Sequence, residues 1–206
     1  PPLLPNTTPF RSSNDSTFEA INVASGNVTG GGTNTITINP TGTLLETTSY
    51  YLNIDGGAFP DSSGGDYGGI YDNSSWNFTT GDFTNPTVAT LSPADNGTNV
   101  AVGTNLRITF SEAVNVGTGN IIIKKSSDNT TFESIDVTSG NVTDGGTNTI
   151  TIDPTGTLNS TTGYYITIDS TAFADSTNNA YAGISDTTTW NFTTRTPFPG
   201  TQTLYG

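Results

Sequence analysis

The chain has 206 residues and a formal net charge of −13, from 18 acidic against 5 basic side chains. So few bases leave no surface for neutralising phosphates, which argues against nucleic-acid binding and against adhesion to an anionic membrane. With no His and no Cys, Ser–His–Asp and Cys–His catalysis are ruled out, no disulfide reports the compartment, and the acid excess suits divalent cations such as Ca2+.

Taken in chain order, the opening "PPLLPNTTPF" sets Leu3, Leu4 and Phe10 among prolines. It reads as an extended N-terminal arm over residues 1–11, because proline fixes an extended backbone and removes ladder donors. From Ser12 the text becomes repetitive. Residues 12–80 align with 126–194 at a constant offset of 114, without a gap, and 44 of the 69 positions are identical. Self-similarity at a fixed period means that both stretches build one structural unit. The first copy lacks the lead-in of the second, "NPTVATLSPADNGTNVAVGTNLRITFSEAVNVGTGNIIIKK". A partial unit lacking its first strands is therefore expected over 12–82, and a complete one over 83–194.

Within the complete unit, period-2 alternation between Gly, Asn and Asp turns predicts strands at 87–91, 106–110, 120–125, 131–137, 147–153, 163–169 and 188–193. Leu106, Ile108 and Phe110 share one face of the second strand, and Trp190 and Phe192 share one face of the last. Of each pair Tyr50–Tyr51 and Tyr164–Tyr165, one ring is expected in the core and the other in solvent. No segment carries a helical pattern, and none is long and apolar enough to span a bilayer. The fold expected is all-β: tandem immunoglobulin-like Greek-key β-sandwiches, the first one incomplete. The chain closes on an extended C-terminal tail, 195–206, with Phe198, Leu204 and Tyr205.

Four stretches in order, "PTVATLSPADNGTNVAVGTNLRITFSEAV", "NTITIDPTGTLNSTTGYYITID", "AFADSTNNAYAG" and a closing "WNFTT", resemble the bacterial Ig-like domains that occur in tandem in surface-layer proteins and large adhesins. The resemblance covers 85–194 and the second half of the pattern in 12–80. Where such domains often carry Gly-Asn in one loop, this chain has Asn178–Asn179 and Gly64–Gly65. The resemblance implies a structural, surface-exposed module and no catalysis.

Four acids keep their register in both copies: Glu19 with Glu133, Asp55 with Asp169, Asp61 with Asp175, and Asp72 with Asp186. Three of each set lie in one connection of nearly 20 residues, long for a segment without regular structure. Asp55, Asp61, Asp72, Asp169, Asp175 and Asp186 are therefore candidate Ca2+ ligands. The competing reading is that they cap turns. Glu112, at a strand end, is a further oxygen donor if the loop folds near it. Paired-carboxylate glycosidase chemistry is formally open, but acids scattered on the turns of a repeated unit do not favour an enzyme. Exposed aromatics would suit a carbohydrate or host ligand, though core packing accounts for most of them.

A four-stranded remnant leaves an apolar face and an open edge, which invite strand pairing. Leu3, Leu4, Phe10, Phe198, Leu204 and Tyr205 are the candidate assembly residues, since both tails are short, extended and apolar enough to add to an edge. A head-to-tail contact of that kind does not close and builds filaments. The expectation is a structural subunit of an extracellular filament, sheath or surface layer. It would polymerise with copies of itself by strand exchange and be stiffened by Ca2+. The alternative is a spacer or ligand-binding stalk fragment of a large adhesin. Few Lys and Arg, and a chain that begins at Pro1, fit an extracellular or cell-surface location.

Overall fold

Short runs of β-branched and aromatic residues between turn formers fold as pleated strands. In the computed structural model, which describes residues 5–196, they form two compact units and no helix among the described residues. The first unit holds β1 (Asn6–Arg11), β2 (Ser16–Thr17), β3 (Ile21–Asn22), β4 (Val28–Thr29), β5 (Thr37–Ile38), β6 (Ser49–Ile54) and β7 (Asn77–Thr79). One sheet runs β2-β1-β6-β7, with β3 also on β1, and β4 and β5 form a separate two-stranded ribbon.

The second unit holds β8 (Val88–Ser92), β9 (Gly97–Val100), β10 (Leu106–Val116), β11 (Asn120–Lys125), β12 (Thr131–Asp136), β13 (Val142–Thr143), β14 (Thr147–Ile152), β15 (Gly163–Ile168), β16 (Phe173–Ala174) and β17 (Asn191–Thr194). Its two sheets run β13-β14-β10-β16, with β8 on β10, and β12-β11-β15-β17-β9, in which β17 and β9 are parallel. Leu106, Ile108, Phe110 and Val114 alternate along β10 into the core and are fully buried. They pack with Ile121 and Ile123 of β11, Ile150 and Ile152 of β14, and Trp190 and Phe192. This is the sandwich that the alternation predicts.

The structure departs from the sequence reading at the N-terminus. Residues 6–11 are not an arm apart from the repeat. They are β1, the counterpart of β11. Thr7 pairs with Ile54 and Arg11 with Tyr50, while Ile121 pairs with Ile168 and Lys125 with Tyr164, so the offset of 114 extends to these strands. Pro9 stands where β11 has Ile123. Its carbonyl accepts from the Phe18 amide at 2.8 Å, but proline has no N–H to return. The neighbouring strand is accordingly split into β2 and β3, where β12 is continuous.

Candidate functional site

In the second unit β10 fills a slot. It pairs with β14 through Leu106–Ile152 and Ile108–Ile150, and with β16 through Asn115–Ala174 and Val116–Phe173. Its Phe110 ring lies 5.5 Å from Phe173 and 5.0 Å, edge-on, from Tyr181. At the same positions the first unit has Ile38, Ile36, Pro60, Phe59 and Tyr67, but no described strand between them. Phe59 and Tyr67 stand 6.3 Å apart and line a groove of about 790 Å³ with Ile36, Val23, Val28 and Pro60. Ile36 and Ile38 are half-buried, whereas Ile150 and Ile152 are fully buried. The buried core of the first unit is correspondingly small, centred on Leu52, Ile54 and Ala58.

A second vacancy follows from the same missing block. Ahead of β9, the Pro93 carbonyl accepts from Trp190 Nε1 at 2.8 Å, and Asp95 Oδ1 accepts from the Asn191 amide and side chain at 3.0 and 2.9 Å. β9 itself pairs along β17. Trp190 and Phe192 are 0% and 2% exposed, while their counterparts Trp76 and Phe78 are 43% and 39% exposed.

The six candidate metal ligands fall into three matched pairs, one bonding across to a strand start and two closing local turns. Asp55 and Asp169 each accept, through Oδ2, the amide of the first residue of β1 or β11, at 2.9 and 2.8 Å. Asp61 accepts the amides of Ser63 and Gly65, and Asp175 those of Thr177 and Asn179, all at 2.7–2.8 Å. In the middle of these turns Gly64 and Asn178 take the same left-handed conformation, φ 80° and 70°, which Gly adopts freely and Asn tolerates. Asn179 also donates its side chain to Asp175 Oδ2 at 2.8 Å, a bond Gly65 cannot make. Burial pushes the Asp175 carboxyl up, but the bonds from Asn179 and Thr177 outweigh it and hold the group below its ordinary value. Asp72 and Asp186 cap the next turn through the hydroxyls and amides of Ser74 and Ser75, and of Thr188 and Thr189. The hydroxyl bonds first, and the amides next, hold both carboxyls far below the usual range.

Among the candidate ligands, two carboxylates come within metal-ligating reach of each other. Both lie in the second unit: Asp175 and Glu112 of β10 offer oxygens within 4.8 Å of one another. The sequence reading flagged both. Asp55, Asp61, Asp72, Asp169 and Asp186 do not join such a group among the described residues.

The tyrosine pairs also differ from expectation, since Tyr50, Tyr51, Tyr164 and Tyr165 are all buried. Tyr50 and Tyr164 face the core and accept the Leu45 and Asn159 amides. Tyr51 and Tyr165, on the opposite face, are covered by the turns before β2 and β12 and donate to Asp15 and Asn129 at 3.1 Å. Phe10, expected at a joint between chains, stacks on Tyr51 of its own unit at 5.1 Å. Leu3, Leu4, Phe198, Leu204 and Tyr205 lie outside the described residues.

A family model described as a bacterial Ig-like domain matches twice, over residues 6–80 and 82–194. The first match begins at β1, in agreement with the strand pairing. No curated protein and no solved structure matches the chain.

Proposed function

The chain belongs to the bacterial Ig-like domain family, and on that premise we propose that it is a structural subunit of an extracellular filament, sheath or surface layer, its first sandwich completed by strands from a neighbouring chain. Bacterial Ig-like domains are found in surface proteins and adhesins, and no described helix is long and apolar enough to cross a membrane. The observation that carries the proposal is the slot beside β5, which β10 fills in the second unit and no described strand fills in the first. An unpaired edge beside an apolar groove favours strand addition. The partners are copies of this chain joined head to tail, an arrangement that propagates rather than closes. Calcium belongs to the proposal as a stiffener of the second unit at Glu112 and Asp175, whose carboxylate oxygens come within 4.8 Å of one another and suit a hard cation. Asp175 would keep its bonds from Thr177 and Asn179 beside the ion.

A second reading, a spacer or stalk of a large adhesin, is favoured by a different observation. The strands absent from the first unit are one uninterrupted block in the second, from β8 to β10. That is the arrangement of a module that recurs along one polypeptide. Size-exclusion chromatography and electron microscopy, with and without EDTA, separate the readings. Polymers that loosen or melt earlier in EDTA are expected. Discrete monomers under every condition would contradict assembly, and polymers indifferent to EDTA would remove calcium from the account.

A further inference from the structure

We infer that a polar pocket on the outer face of the second unit, formed by Ser126, Asn129, Tyr165, Thr187 and Asn191, binds one uncharged sugar ring. The inference goes beyond the proposed function and stands whether the chain polymerises or serves as a stalk.

The pocket follows from the way the strands meet. β11 ends at Lys125 and β12 begins at Thr131, so Ser126 and Asn129 lie in the turn between them. Tyr165 on β15 pairs directly with Asn191, the first residue of β17, and directly opposed residues share a face of the sheet. Thr187 belongs to the Asp186 turn that leads into β17. Three separate parts of the chain thus line one cavity of about 280 Å³. That is small for a ligand pocket and suits a single ring rather than a chain. No charged side chain lines it, so an ionic ligand would meet no counter-charge.

The hydrogen-bonding capacity of these residues is largely unspent. In the neighbouring turns, Thr130, Thr188 and Thr189 give their hydroxyls to Asp128 and Asp186. Ser126 Oγ, Thr187 Oγ1 and Asn129 Nδ2 bond to no described residue. Asn129 accepts the Tyr165 hydroxyl through Oδ1 at 3.1 Å, so its amide nitrogen is the free end. Asn191 is arranged the other way. Its amide nitrogen donates to Asp95 Oδ1 at 2.9 Å and to the Thr188 carbonyl at 3.2 Å, which leaves its oxygen free. The pocket therefore offers a donor at Asn129, acceptors at Asn191 and the Tyr165 oxygen, and hydroxyls at Ser126 and Thr187 that serve as either. A neutral sugar carries hydroxyls that likewise donate and accept, and it matches this mixture.

The first unit supplies the contrast. Its counterparts, by the offset of 114, are Ser12, Asp15, Tyr51, Asn73 and Asn77. Asp15 accepts the Tyr51 hydroxyl as Asn129 accepts that of Tyr165, but a carboxylate has no N–H to offer a ligand. Phe10 also stacks on Tyr51, where the second unit has Lys124 opposite Tyr165. Binding is expected at the second unit alone.

The test uses ligand-observed saturation-transfer NMR on the full chain, a readout that serves monomers and polymers alike. The probes are the methyl glycosides of glucose, galactose, mannose and N-acetylglucosamine, with glucuronate as the charged comparison. At least one neutral glycoside should bind saturably, with a dissociation constant on the order of 1 mM, as a single small ring would. Asn129 has a left-handed backbone, φ 60°, which Asp tolerates as Asn does, so Asn129→Asp keeps the turn and removes the donor. That variant and Thr187→Val should each weaken binding roughly fivefold or more, with the melting temperature held within about 2 °C. Asn73→Ala, at the first unit's counterpart of Thr187, should leave binding unchanged. No saturable binding of any neutral glycoside, binding of glucuronate alone, unchanged affinity in both second-unit variants, or an equal loss in Asn73→Ala would each overturn the inference. Monomers that bind would leave it standing while the filament reading fell, and polymers that do not bind would do the reverse.

Discussion

At Thr7 the first unit buries a hydroxyl where the second buries the Ile121 side chain. Both positions are fully buried, and Thr7 Oγ1 finds no hydrogen-bond partner among the described residues. A buried, unpaired hydroxyl costs about 1–3 kcal/mol. Thr7→Val, which keeps the shape, should therefore stabilise the first unit by about 1 kcal/mol, seen as a higher urea midpoint for its unfolding. An unchanged or lower midpoint would show that the hydroxyl is satisfied. The turn carboxylates make a second prediction at this scale. Glu19, Asp61, Asp72, Asp128, Asp136, Asp175 and Asp186 all sit below their ordinary values, through bonds from hydroxyls and amides. A carboxyl depressed in the folded state adds stability that is complete above its unfolded value and is lost as pH falls through the folded one. The melting temperature should hold from pH 7 to about pH 5 and fall progressively below about pH 4. A melting temperature constant down to about pH 2 would mean these bonds are absent in solution.

Between elements, the contrast of β1 with β11 shows how one residue reshapes a sheet edge. Pro9→Val restores the missing N–H, so β2 and β3 should join into one strand like β12. The measurable result is slower hydrogen exchange across residues 17–22. The Phe110 ring in turn links β10 to β16 and to Tyr181, whose hydroxyl burial, with Asp186 nearby, pushes up to about 12. Phe110→Ala should destabilise the second unit by about 3–5 kcal/mol and leave unfolding of the first unit unchanged. These elements also show what was legible in the sequence. β10, β14 and β15 announced themselves through alternation, and the Asp turns through the hydroxyl or amide donors two to four residues ahead. β1 did not, because it shares only Asn6 with the six residues of β11 and a proline interrupts its pattern. β9 was hidden in "DNGTNV", whose turn formers mask a strand that pairs through its backbone. The approach of Glu112 to Asp175 has no local signature, since it depends on β10 pairing with β16.

Across the whole molecule, one repeated sequence yields two units of unequal completeness. The second buries a continuous core, and the first keeps the same strand register around β1 and β6 while no described strand takes the places of β8, β9 and β10. Burial of large apolar side chains at about 1.5–3 kcal/mol each dominates small-domain stability, so the first unit should unfold well before the second. The central claim is that the β5 edge is an unfilled acceptor, and its amides test this most directly. Asp153 and Asn39 donate to Asn141 and Asn27 at 2.8 Å, toward β13 and β4. By alternation, the amides of Ile150 and Ile152 point at β10, and those of Ile36 and Ile38 point into the open slot. Residue-resolved hydrogen exchange on the isolated chain should find Ile36 and Ile38 exchanging nearly unprotected and Ile150 and Ile152 strongly protected. Equal protection at the two pairs would contradict the account.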